Sequence, residues 1–64
     1  MRIDRVKLVT EMARQDMTQK RLSELSGISR MTVSGIQCGR SCSNKTAIKI
    51  ADALKVPIET LLEN

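Results

Sequence analysis

Apolar residues recur along this chain every three or four positions, which is the spacing of amphipathic helices. Polar residues, three glycines and one proline interrupt this pattern at short intervals. The pattern predicts five short helices in a single domain spanning residues 1–64. We therefore expect an all-α, compact five-helix fold.

The first predicted helix covers residues 4–15 and has Asp4 in the N-cap position. The polar sequence RQDM ends it. Its apolar residues are expected to form one broad stripe facing the core: Val6, Leu8, Val9, Met12 and Ala13.

The second predicted helix begins after Thr18, a favourable N-cap residue, and ends near Ser26, just before Gly27. Leu22 and Leu25 lie three residues apart and are expected to face inward.

The third predicted helix begins after Ser29 and closes at Gly39, with Val33 and Ile36 facing inward. Only the sequence GIS connects it to the preceding helix, and we expect Ile28 to fill the angle between the two. A tight turn between two short amphipathic helices is the helix-turn-helix arrangement. We predict this motif at about residues 18–37.

The fourth predicted helix covers residues 45–55 after a capping Ser43 or Asn44. Its inward face is expected to consist of Ala47, Ile50, Ala51 and Leu54, with Ile48 beside it. Pro57 is suited to the first position of a fifth helix over residues 57–63, in which Glu59 favours the helix dipole.

Positive charge is concentrated in the middle of the chain. The whole chain carries a net charge of +4, whereas residues 20–49 contain six basic residues and one acid, Glu24, for a net charge of +5. The six basic residues are Lys20, Arg21, Arg30, Arg40, Lys45 and Lys49. This concentration favours a polyanionic partner, and a solvated basic face is the alternative interpretation.

The composition excludes several other classes of function. The chain has no aromatic residue, which argues against single-strand binders that stack bases on aromatic rings. It has no long apolar run and no signal-peptide pattern, so we expect a cytoplasmic protein without a membrane segment. It also lacks a nucleophile with a base, a carboxylate pair and a glycine-rich phosphate loop, so we expect no enzyme.

Cys38 and Cys42 are the remaining candidates for chemistry. A zinc site needs about four ligands, and the chain has no histidine to complete one. We therefore expect no metal and no cofactor. Two incidental reduced thiols are the main interpretation, and a redox switch near Arg40 is the alternative.

Two segments, MTQKRLSELSGISRMTVSGIQCGR and KTAIKIADALKVPIETLLE, resemble the Cro/C1-type (XRE, lambda-repressor-like) DNA-binding domains. The resemblance covers nearly the whole chain and its residue spacing is quite specific. It implies a five-helix domain in which the third helix enters the major groove and the second lies across the DNA backbone.

The resemblance also implies roles for individual residues. Residues that read base edges are expected around the first turn of the third helix: Arg30, Met31, Thr32 and Ser34. Residues that contact phosphates are expected to be Gln19, Lys20, Ser29, Arg40, Ser41, Ser43, Asn44 and Lys45. Arg30 is the best candidate because a guanidinium can bind guanine through two hydrogen bonds; a phosphate contact is its alternative role.

The chain departs from this family's pattern at three places. Family members often pair an arginine late in the first helix with a glutamate late in the third, where this chain has Met12 and Gln37. An apolar and amide contact is expected to replace that pair. Gly35 stands where relatives commonly have a long polar residue, and Cys38 where they often have asparagine. The glycine indicates either a close approach of the helix to the DNA or its partner strand, or a position that reads no base.

The leading functional hypothesis is a sequence-specific transcriptional regulator of double-stranded DNA, expected to be a repressor. A homodimer on a two-fold symmetric operator is expected, with Ile58, Leu61 and Leu62 as its self-association residues. The alternative interpretation is that two of these three residues close the core. No small-molecule effector is expected. The alternatives are the DNA-binding antitoxin of a toxin–antitoxin pair and a protein–protein adaptor that kept the fold.

Overall fold

The computed structural model describes residues 2–63 and contains four α-helices within that range. They are α1 (Arg5–Arg14), α2 (Gln19–Ser26), α3 (Arg30–Gln37) and α4 (Asn44–Leu54). A single 3₁₀ turn, Ile58–Thr60, follows α4. The all-α prediction is confirmed for the described residues, with α2 and α3 forming the expected helix-turn-helix.

The predicted fifth helix over residues 57–63 is not confirmed: only the 3₁₀ turn Ile58–Thr60 forms there, and the end of the chain pairs with its start. The backbone N–H of Asp4 donates to the Leu61 carbonyl at 2.7 Å, and Glu63 N–H donates to the Arg2 carbonyl at 3.2 Å. Ile3 and Leu62 form an isolated antiparallel bridge. Backbone groups that a longer helix would use are therefore satisfied by the N-terminal segment instead.

Side-chain caps start the helices where the sequence predicts. Asp4 accepts the Val6 and Lys7 N–H groups at the start of α1. Thr18, Ser29 and Ser43 each accept the N–H three residues further on, at the starts of α2, α3 and α4. Ser43, and not Asn44, is thus the cap of α4. Such caps stabilise a helix by about 1 kcal/mol each and fix its first residue.

The core is aliphatic and lies between the four helices and the paired chain ends. Its buried members are Ile3, Leu8, Met12, Leu22, Val33, Ile36, Ala47, Ile50, Ala51, Leu54 and Leu61. The predicted inward faces of α3 and α4 are confirmed. Ile28 packs against the core from the turn, as expected.

The predicted inward faces of α1 and α2 were too wide. Val6 is 66% exposed and Val9 and Ala13 are also exposed, because α1 buries only the narrower face around Leu8 and Met12. Leu25 is 47% exposed as well. The inner side of α2 beyond Leu22 is occupied by serines that bond to the turn.

Candidate nucleic-acid interface

Two serines fix the angle between α2 and α3. Ser23 Oγ donates to the Ile28 carbonyl. Ser26 Oγ donates to the Leu22 carbonyl at 2.6 Å and accepts the Ile28 N–H at 3.3 Å. Gly27 has φ +73°, a left-handed backbone conformation that is unfavourable for residues with a side chain. The turn is therefore held by specific bonds, and α3 has a defined orientation relative to α2.

The outward face of α3 carries the predicted base-reading residues. Arg30, Met31 and Thr32 are exposed, and Met31 is 86% exposed. Ser34 is half-buried beside them. Val33 and Ile36 anchor the opposite face in the core. The structure thus brings the four predicted side chains onto the solvent side of one short helix.

Ser29 and Thr32 form a hydroxyl pair at the start of α3. Their oxygen atoms are 2.9 Å apart, and Ser29 Oγ also accepts the Thr32 N–H at 3.2 Å. One hydroxyl must donate to the other, so the second retains its hydrogen for an external acceptor. The pair can therefore offer one O–H group to a phosphate or a base edge.

Gln37 links α3 to α1 and to the start of α2. Its side-chain nitrogen donates to Met12 Sδ at 3.1 Å, and its oxygen accepts a hydrogen bond from the Gln19 side chain. The expected replacement of the ion pair by an apolar and amide contact is confirmed. The Gln19 amide is held in place by α3 and keeps a second N–H for an external acceptor.

Arg40 lies against the outward face of α3. Its backbone N–H donates to the Gly35 carbonyl at 3.0 Å. A Cβ atom on Gly35 would lie 3.1 Å from Arg40 Cδ and 3.9 Å from its Cγ and Nε. Gly35 is thus the point where the Arg40 side chain crosses α3. This contact within the chain is a third explanation for Gly35, which was not predicted from the sequence.

The start of α4 presents a second group of predicted phosphate contacts. Ser41, Ser43, Asn44 and Lys45 are all exposed. Ser43 Oγ donates to Thr46 Oγ1 at 3.0 Å and accepts the Thr46 N–H at 3.2 Å. Its hydroxyl hydrogen is therefore already used within the cap. Asn44 and Lys45 are better placed to donate to an external anion.

The basic residues of the middle segment have no acidic partner among residues 2–63. The ion pairs in that range join Arg2 to Glu63 at 3.3 Å and Arg14 to Glu11 at 2.8 Å. None of the first turns of α2, α3 and α4 contains an acid. Lys20, Arg30 and Lys45 occupy those turns. This charge pattern leaves the positive field of the segment uncompensated.

Both cysteines are free thiols. Cys38 is exposed, and Cys42 is half-buried against the core. Burial raises the pKa of the Cys42 thiol. Within residues 2–63 the side chains form no cluster of three His, Cys, Asp or Glu residues fit to hold a metal ion.

The three predicted self-association residues have different environments. Leu61 is completely buried, so it belongs to the core and offers no surface to a second copy. Ile58 is half-buried and packs on the core. Leu62 is half-buried and stands outside the core cluster. The prediction for Leu61 is corrected, and Leu62 is the half-buried residue of the three that does not pack against the core.

In residues 2–63 no helix has both the length and the apolar character needed to cross a bilayer.

The comparisons with known proteins agree with this geometry. The family model of the Cro/C1-type HTH DNA-binding domain matches residues 7–64. The restriction-modification controller protein C.AhdI from Aeromonas hydrophila has a similar structure, with a TM-score of 0.83 and 30% identity; the match covers 88% of this chain and 86% of C.AhdI.

Two structures of PhpD, one with cadmium atoms and one with cadmium and hydroethylphosphonate, are similar over 100% of this chain, each at 25% identity. Their TM-scores are 0.86 and 0.85, and the chain spans 14% of the length of PhpD. No curated protein sequence matches. The family match over residues 7–64 shows that the chain belongs to the Cro/C1-type HTH DNA-binding domains.

Proposed function

We propose that this protein is a sequence-specific regulator of transcription that places α3 in the major groove of double-stranded DNA. The observation that carries the proposal is the outward face of α3. Its exposed side chains lie at the end of a turn fixed by hydrogen bonds, and the guanidinium of Arg30 has no ion-pair partner within residues 2–63. Such residues contribute little to folding and are free to contact a ligand.

Each predicted reader has a chemistry suited to a base edge. The Arg30 guanidinium fits the O6 and N7 atoms of guanine through two parallel hydrogen bonds. Met31 offers an apolar surface to a thymine methyl group. Thr32 and Ser34 have hydroxyls that both donate and accept. In this proposal α3 distinguishes sequences mainly through its first turn.

The phosphate contacts are proposed to flank α3 on both sides. Gln19 and Lys20 start α2, Ser29 starts α3, and Ser41, Asn44 and Lys45 surround the start of α4, with Ser43 as the helix cap there. N–H groups at helix starts attract anions. Arg40 belongs to the same basic surface.

The placement of the basic residues supports an anionic partner on energetic grounds. A cation in the first turn of a helix opposes the helix dipole, at a cost of about 0.3–1 kcal/mol. Lys20, Arg30 and Lys45 each stand in such a turn. Folding alone would favour acids at these positions. A bound polyanion reverses the sign of this effect, because the same charges then stabilise the complex.

We further propose repression as the outcome and a homodimer as the binding species. One unit of this size contacts few base pairs, and two units on a two-fold symmetric operator double the number of contacts. The similarity to C.AhdI, a controller protein, supports a regulatory role. A bound dimer would repress by occupying DNA that the transcription machinery needs.

The test is selection of duplexes bound from a random pool, followed by titration of the selected duplex at several salt concentrations. We expect a defined consensus and an affinity that falls steeply with salt. Arg30→Ala is expected to lose the preference at one base pair, by about 1–3 kcal/mol. Gln19→Ala is expected to weaken all sequences about equally. If the unaltered chain binds no duplex at low salt, the proposal is wrong and an adaptor function gains support.

A further inference from the structure

We infer that Arg40 is a second base-reading residue, placed on the outward face of α3 by the chain reversal at Gly39 and in close contact with Gly35. This inference rests on the proposed function, because it requires α3 to lie in the major groove. It changes the expected role of Arg40 from a phosphate contact to a determinant of sequence specificity.

The backbone at the C-terminal end of α3 places Arg40. The Arg40 N–H donates to the Gly35 carbonyl and the Gly39 N–H donates to the Ile36 carbonyl, both at 3.0 Å. Gly39 has φ +99°, so the chain reverses there. This is the Schellman motif, which brings the residue after the left-handed one back onto the helix. Arg40 is therefore returned to α3 by the backbone itself.

Helices α1 and α4 end with the same backbone bond as α3, so their residues at this position can be compared with Arg40. In α1 the N–H of Met17 donates to the Met12 carbonyl, and in α4 the N–H of Val56 donates to the Ala51 carbonyl. Both Met17 and Val56 are apolar and pack against the core. At the equivalent position α3 has an exposed arginine over a glycine. Two of the three ends thus use this position for packing, whereas the end of α3 presents a cation to solvent.

Arg40 lines two shallow grooves on the outward face of α3. Met31, Thr32 and Ser41 line one of them, and Met31, Ser34 and Cys38 line the other. Three of these residues are predicted base readers, and no acid lines either groove. A phosphate contact would be expected beside the helix. Arg40 instead crosses the face that meets the base edges.

Gly35 lets the Arg40 side chain lie this close to α3. Its missing Cβ would lie 3.1 Å from Arg40 Cδ, which is closer than a comfortable carbon contact. The Arg40 stem therefore lies directly on the backbone of α3. Arg30 and Gly35 are separated by about 7.5 Å along the helix axis, from five residues at 1.5 Å each. We therefore expect the two guanidiniums to select different base pairs.

The experiment compares Arg40→Lys with the unaltered chain in a selection from a random duplex pool at one salt concentration. Lysine keeps the charge and a phosphate contact but lacks the rigid planar fork with which a guanidinium fits guanine. We expect the preference at one base pair to fall by about fivefold or more. Arg30→Lys should affect a different base pair. Arg14→Lys, on the exposed surface of α1, is the matched control and should change no preference.

Gly35→Ala tests the positioning of Arg40. The variant should remain folded by circular dichroism, and it should lose preference at the same base pair as Arg40→Lys. Adding Arg40→Lys to Gly35→Ala should cause little further loss there. Loss at an unrelated base pair would show that Gly35 itself approaches the DNA and would overturn its assigned role.

The outcomes separate this inference from the proposed function. If the unaltered chain selects a consensus and Arg40→Lys retains every preference, Arg40 is a phosphate contact and the inference is wrong while the proposed function stands. If the unaltered chain selects nothing, both are wrong.

Discussion

Single residues of the outward surface differ in how far the sequence reveals their role. The contact of Gln37 with Met12 follows from replacing an expected ion pair, and the structure has it. The crossing of Arg40 over Gly35 does not follow from residue type. It depends on the chain reversal at Gly39 and on a side chain whose direction only the packed helix end defines.

The two thiols are expected to differ in reactivity. Cys38 is exposed and lines a groove beside Arg40, whereas Cys42 is half-buried and burial raises its pKa. Because the thiolate is the reactive form, Cys42 should react more slowly near neutral pH and approach its full rate only at higher pH. Ellman's reagent with the single variants Cys42→Ser and Cys38→Ser measures each thiol alone.

A duplex that covers α3 should also protect Cys38 from alkylation and leave the rate at Cys42 nearly unchanged. Equal protection of both thiols would indicate a general effect of the DNA on the protein. Faster reaction at Cys42 than at Cys38 would contradict the predicted order.

At the scale of elements, the helix starts were predictable and the buried faces of the helices less so. Asp4, Thr18, Ser29 and Ser43 cap their helices through bonds to residues two or three positions away, so local sequence is sufficient. The inward faces of α1 and α2 depend on which neighbours cover them. For that reason the exposure of Val6, Val9 and Leu25 was not predictable from spacing.

Lys55 is a weak point at the end of α4. Its backbone has a left-handed conformation with φ +57°, which costs a non-glycine residue about 1–2 kcal/mol. Lys55→Gly should therefore raise the free energy of unfolding by up to about 1 kcal/mol, after the larger chain entropy of glycine is subtracted. Urea unfolding followed by circular dichroism measures the change.

The matched control is Lys49→Gly, the same substitution at an exposed position inside α4. It should lower the free energy of unfolding by about 1 kcal/mol, because glycine is a poor helix residue. Opposite signs for the two variants are expected. A loss of stability in both would show that the Lys55 conformation carries no strain.

At the scale of the whole molecule, the pairing of the chain ends decides what the last residues do. The sequence favours a helix over residues 57–63, but the bonds of residues 61 and 63 are made with residues about sixty positions away. Arg2 extends this link, since it pairs with Glu63 and donates to the Gly39 carbonyl at 3.0 Å. Long-range pairing of this kind leaves no local pattern, so the 3₁₀ turn was not predictable. The burial of Leu61 agrees with the alternative interpretation, in which two of the three apolar residues near the chain end close the core.

This pairing sharpens the prediction for the homodimer. With Leu61 in the core, Leu62 is the apolar side chain of this segment best placed to contact a second copy. Leu62→Asp should put a charge into that contact and weaken association of two units on a two-fold symmetric duplex. Binding of one unit to a half-site should remain, because α3 is distant in sequence and unaltered.

Sedimentation of the protein with a full operator and with a single half-site provides the measurement. Leu61→Ala is the contrasting variant: it should lower the free energy of unfolding by about 2–5 kcal/mol through a cavity in the core, whereas Leu62→Asp should remain folded. If two units of the Leu62→Asp variant bind as cooperatively as two units of the unaltered protein, Leu62 is not part of the dimer contact. If only one unit of the unaltered protein binds the full operator, the proposed homodimer is wrong.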